Sequence, residues 1–105
     1  MNIKLTYMYR DAGNYKQFGE VIFGNSNSLS INTIKAASKA AAFDELWFNP
    51  KKINIQPLHA YVYDSELDHD LHEILDFEET TLSINDRMHR SVSQFLSDMK
   101  MTPFF

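Results

Sequence analysis

Residues 64–79, DSELDHDLHEILDFEE, hold eight of the chain's fourteen Asp and Glu and two of its four His, and no Lys or Arg. Imidazole and carboxylate groups bind Zn, Mn or Fe. Carboxylates also do acid–base work where their surroundings shift their pKa. Asp68-His69-Asp70, with His72 and Glu73, puts both kinds of ligand in one short stretch. His69 and His72 are i, i+3 neighbours if the stretch is helical, so they could share one ion. His59, just upstream, could join them. The pattern lacks the HExxH spacing, in which two His flank a general base, and no second cluster completes a recognised site. Metal binding, or a metal-dependent hydrolase centred on DHDLHE, is therefore the alternative reading. No other cofactor is called for.

The charge itself supports the leading reading. The segment carries −8 and the rest of the chain +4. Like charges this close repel, so the concentration marks either a solvated acidic face or a site for something cationic. Asp64, Glu66, Asp68, Asp70, Glu73 and Asp76 are the candidate partner-binding carboxylates. A second polar cluster sits at Arg10-Asp11-Ala12-Gly13-Asn14-Tyr15-Lys16. There Arg10 and Tyr15 could grip an anion or a partner's carboxylate. Arg10 could equally pair with Asp11, or with the acidic segment across the fold.

Other function classes find little support. Three glycines, at 13, 19 and 24, make no phosphate-cradling loop. No GxSxG elbow accompanies the serines. With a net charge of −4 and scattered Lys and Arg, the chain lacks the basic surface that direct nucleic-acid binding requires. There is no cysteine, so disulfides, thiolate metal sites and cysteine nucleophiles are excluded. The alternating N-terminus does not resemble a secretory signal, and no run of about 18 apolar residues suggests a membrane span. A cytoplasmic protein is expected.

Elements of regular structure must position these groups. At 105 residues and 44% hydrophobic, the chain has the size of one domain, 1–105, with a real core. Residues 3–9 alternate, with Ile3, Leu5, Tyr7 and Tyr9 on one face, and predict a half-buried strand. The turn at 11–14 leads to a returning strand over 15–23, where Gly19 marks a bulge or a close approach. A helix is expected over 31–43, capped by Ser28 or Ser30. Trp47 and Phe48 read as core or core edge. Residues 58–63 alternate again. The acidic segment has two local solutions. One is a helix over 66–75 that buries Leu67, Leu71, Ile74 and Leu75. The other is a strand over 71–78, with Leu71, Leu75 and Phe77 on one side. A short helical turn through Asp68 followed by a strand to Glu79 reconciles them. A last helix is predicted over 84–99, with Ser83 and Asp86 as capping box and Met88, Val92, Phe95, Leu96 and Met99 as its apolar stripe. The expected fold is α+β: a small, largely antiparallel sheet with two helices on one face, in the order ββα-β-(β)-α.

The opening YMYRDAGNYKQFGEVIF (7–23), the pair Leu29-Ser30 and the block Glu66-Leu67-Asp68-His69, His72-Glu73, Glu78-Glu79-Thr80 resemble a group of small uncharacterised bacterial proteins. The resemblance covers about two thirds of the chain and brings no activity with it. It implies that the turn and the acidic block belong to one design, and that 72–79 is a strand. The sequence thus points to a small interaction protein, leaning away from an enzyme. It would act as an inhibitor or regulator that presents an acidic surface to a basic protein partner. A phage- or mobile-element-encoded inhibitor of a host nuclease or defence system has this profile. A homodimer built on Trp47, Tyr61 and Tyr63 is a further expectation.

Overall fold

Alternation along the first strand sets the frame. In β1, Asn2–Arg10, the inward side chains Ile3, Leu5, Tyr7 and Tyr9 are all at most 3% exposed. The structure is a computed structural model and describes residues 1–11, 13–58 and 71–102. β2, Lys16–Phe23, returns antiparallel beside β1, with Ile3 opposite Phe23 and Leu5 opposite Val21. At Tyr7 the cross-strand partner is Gly19. A Cβ there would stand 2.8 Å from the Tyr7 ring and from Leu58 Cδ2. Gly19 therefore marks a close approach of side chains, and the missing side chain is what lets Tyr7 lie across the neighbouring strand.

After the hairpin comes α1, Ile31–Ala41. Ser30 is its cap, its hydroxyl accepting the Thr33 N–H at 3.1 Å. Ile34 and Ser38 form the buried stripe. The helix stops short of the expected 43, because the Phe43 N–H donates to the Trp47 carbonyl and turns the chain back. β3, Trp47–Phe48, follows, then a short 3-10 helix, Pro50–Ile53. Phe48 is buried and Trp47 half-buried, in keeping with the expected core and core edge.

β4, His72–Thr80, is the strand solution of the acidic segment; the helical reading fails over these residues. It inserts between β1 and β3, so the sheet order is β2-β1-β4-β3 with every pair antiparallel. The expected division of its faces also needs correction. Leu5 opposes Phe77 and Tyr7 opposes Ile74, and a register shift leaves Leu75 as an extra residue. This bulge reverses the phase, so His72, Ile74 and Phe77 turn to the core while Leu75 is 43% exposed.

α2, Val92–Met101, begins eight residues later than predicted. Its cap is Ser91, not Ser83, and Met88 lies outside the helix, 59% exposed. Tertiary bonds hold residues 84–91 in another shape. Asn85 brackets the backbone of Ile22: its Oδ1 accepts the Ile22 N–H at 2.8 Å, and its own N–H donates to the Ile22 carbonyl at 3.1 Å. The Gly24 N–H donates to the Arg90 carbonyl, and the Val92 N–H to the Gly24 carbonyl. Asp86 is not a cap. It is 2% exposed and accepts the Arg90 guanidinium on both carboxylate oxygens, at 2.8 and 2.9 Å. Within α2, the stripe Val92, Phe95, Leu96 and Met99 is buried as expected. Both helices pack on the inward face of the sheet, where Phe23 and Phe95 stack 4.4 Å apart.

The strand expected over 58–63, apart from Leu58, lies outside the described residues. So do the helical turn through Asp68 and most of the C-terminal tail.

Candidate functional site

With both helices on one face, the other face of the sheet carries no described helix, and on it Met8 and Ile22 are only 4% and 5% exposed. That outer face carries Lys4, Thr6, Met8 and Arg10 from β1, and Lys16, Phe18, Glu20 and Ile22 from β2. The β4 carboxylates are mounted on the same sheet, and most of them meet a cation from elsewhere. Lys4 Nζ stands 3.1 Å from Glu78 and 3.7 Å from Glu20, its side chain 22% exposed against 53% and 56% for the two acids. The hydrogen bond to Glu78, helped by the charges of Glu20 and Glu78, holds the ammonium above its ordinary value of 10.5. Asp76 pairs with Lys35 of α1 at 3.0 Å, and its Oδ1 also accepts the Phe77 N–H. Glu73 is only 13% exposed and faces Arg10 at 3.8 Å. Glu79 is exposed.

Arg10 thus takes the option of pairing across the fold, with Glu73. Its Nη1 also donates to Asn14 Oδ1 at 3.0 Å. Asn14 turns the chain at a φ of 65°, which its short polar side chain tolerates. Tyr15 next to it is 65% exposed, held through its backbone: its N–H donates to Asp11 Oδ1, and its carbonyl accepts the Asp11 N–H. Phe18 is 62% exposed beside the buried Met8. An aromatic and cationic corner therefore lies at the hairpin end of the outer face, and a carboxylate-rich region at the Lys4 end.

His72 belongs to neither. It is fully buried, its Nε2 accepts the Leu58 N–H at 3.0 Å, and its ring lies 4.8 Å from that of Tyr9. A metal at Nε2 would have to replace that bond. Among the described residues, no group of three or more His, Asp or Glu is arranged to hold a metal ion. Asp64, Glu66, Asp68, His69 and Asp70 lie outside the described residues. No helix among the described residues is long and apolar enough to cross a membrane.

No protein-family model, no curated protein and no solved structure matches this chain. The functional reading therefore rests on the chain's own chemistry.

Two features of the site escaped the sequence reading. Lys4 and Lys35 are the cations that meet the acidic strand. The signal for Lys4 was its place on the outward face of the first strand, in phase with any carboxylate opposite. The other is the buried pair of Asp86 and Arg90 with the half-buried Asp98, in which Arg90 Nη1 donates to Asp98 at 3.0 Å and Gln94 Nε2 to the other Asp98 oxygen at 2.8 Å. The guanidinium also lies 5.8 Å from the Phe23 ring centre and 5.5 Å from that of Phe95. Burial alone would push the Asp86 carboxyl up; the hydrogen bonds and charge of Arg90 outweigh it and leave the carboxyl below its ordinary value. The spacing of Asp86 and Arg90 fits a salt bridge within a helix, so the sequence carried the pair but not its burial.

Proposed function

We propose that this chain is a small protein-interaction module, without catalysis of its own, that inhibits or regulates a partner by presenting carboxylates to a basic site. One observation carries the reading. Glu78 and Asp76, each 53% exposed, project from a sheet while Lys4 and Lys35 hold them in place. Charges fixed in this way lose little side-chain freedom on binding, and exposed ion pairs of this kind add little to folding stability. The same segment supplies Asp64, Glu66, Asp68 and Asp70 immediately upstream. A partner with a cationic nucleic-acid groove, such as a nuclease or a defence protein, has the matching chemistry. The cysteine-free composition is compatible with action in the cytoplasm.

Affinity capture from the native cell tests this. The wild-type chain should retain a basic protein, and rising salt should weaken that retention. Asp76→Lys with Glu78→Lys, and separately Asp68→Lys with Asp70→Lys, should abolish it while the circular dichroism stays unchanged. Equal capture by wild type and both variants would sink the reading.

A further inference from the structure

The two ends of β2 are treated differently. Near its C-terminal end the outward backbone is covered: Ile22 by Asn85, and Gly24 by the Arg90 carbonyl and the Val92 N–H. Outward groups alternate along a strand, so the next ones belong to Glu20, Phe18 and Lys16. Among the described residues nothing bonds to the backbone of these three outside the β1–β2 ladder. All three side chains are exposed on the outer face. An uncovered strand edge of this kind is a template for another strand. The opposite edge of the sheet, β3, has only two residues.

We propose that this edge joins two copies of the chain. The β2 strands run antiparallel about a two-fold axis through Phe18, and the two four-stranded sheets continue as one. Charge complementarity selects the occupant and the register. With Phe18 opposite its own copy, Lys16 faces Glu20 of the second copy, and Glu20 faces Lys16. Two opposite-charge pairs therefore flank an aromatic pair, an arrangement that contributes favourably across strands. The backbone phase agrees, since each of these facing pairs brings outward N–H and C=O groups together. Sliding by one step puts Phe18 opposite Lys16 or Glu20 and breaks the charge match. In one direction it also sets Lys16 against Ile22, whose edge Asn85 already occupies. The strand is thus self-complementary in a single register, as a two-fold interface requires. The contact is short, of the kind found in weak, transient interfaces, which usually bury less than roughly 1,200 Å².

The mass in solution, by sedimentation equilibrium up to high micromolar concentration, tests this independently of the acidic-surface reading. The wild-type chain should rise from 12.2 kDa toward twice that mass. K16E alone places like charges at both ends of the contact, and so does E20K, so each should stay monomeric. The double variant K16E/E20K should dimerise again. An equimolar mixture of the two single variants should form a heterodimer, because each supplies the charge that the other needs. Phe18→Lys, which sets like charges on the axis, should be monomeric. Thermal melts identify any variant that has lost its fold, and the mixture of single variants reads out the register without the double variant. A wild-type chain that stays monomeric throughout overturns the proposal. So do single reversals that dimerise like wild type, or a folded double variant and a mixture that both stay monomeric.

Discussion

Arg90 shows how much one side chain can hold. Its guanidinium joins Asp86 to Asp98 and lies beside both Phe23 and Phe95, so the loop before α2, the helix and the sheet meet at one group. Removing one partner of a buried ion pair leaves a charge uncompensated, at about 3–5 kcal/mol. Small domains have only about 5–15 kcal/mol in total. Arg90→Ala should therefore lower the urea midpoint severely, and Arg90→Lys should recover only part, since an ammonium cannot engage both Asp86 oxygens in parallel. Asp86 adds a pH dependence of known sign. Its folded carboxyl lies below the ordinary 3.8, so the unfolded chain takes up the proton first on acidification. The stability is present above 3.8 and is lost as pH falls through the depressed folded value. Asp86→Asn should be less stable than wild type at neutral pH, and the gap should narrow in acid unfolding below that point. If the gap stays constant with pH, the carboxylate is not the source. Gly19 makes a different demand. Its substitution by Ala puts a methyl within 2.9 Å of the Tyr7 ring, and overpacking of this kind costs about 1–3 kcal/mol. Denaturant unfolding should show that loss.

Among the elements, those governed by a local rule were legible and those governed by a distant partner were not. β1 and β2 follow from strict alternation around a turn, and α1 from an Ala-rich run behind Ser30. The strand character of β4 was one of two readings, and its faces were misjudged because the single extra residue at Leu75 shifts the phase in a way periodicity cannot register. The start of α2 was misplaced for a related reason. Met88 and Val92 have helical spacing, but the chain before Ser91 is captured by the edge of β2 through Asn85 and Arg90. At the candidate site, Glu73 and Asp76 could be named from the sequence, whereas Lys4 and Lys35 could not be matched to β4 without the fold. The cap is testable. Ser91 Oγ accepts the Gln94 N–H at 3.1 Å, so Ser91→Ala should cost about 1 kcal/mol, while Ser83→Ala should cost almost nothing. Equal losses at the two positions would restore the longer helix.

At the scale of the whole molecule, function is divided between two regions of one sheet. Glu73 and Glu78 meet Arg10 and Lys4 on the helix-free face while Asp76 meets Lys35 of α1, and the exposed half of β2 carries the self-complementary pattern. Neither lies in the core, and Lys16 and Phe18 share no ion pair with the β4 carboxylates, so substitutions there should change assembly without changing binding; Glu20 shares Lys4 with Glu78 and couples the two regions. The insertion of β4 between β1 and β3 has a further consequence, and it concerns synthesis. β1 meets β2 through contacts close in sequence, but its other neighbour starts at His72. As the chain leaves the ribosome, the hairpin can close early while the second edge of β1 stays open until β4 emerges. Closing so long a loop is slow, and an open ladder invites wrong pairing meanwhile. The acidic strand that fills the gap brings its charges to the last place in the sheet to be completed. A nascent chain stalled before residue 72 would therefore be the aggregation-prone form of this protein.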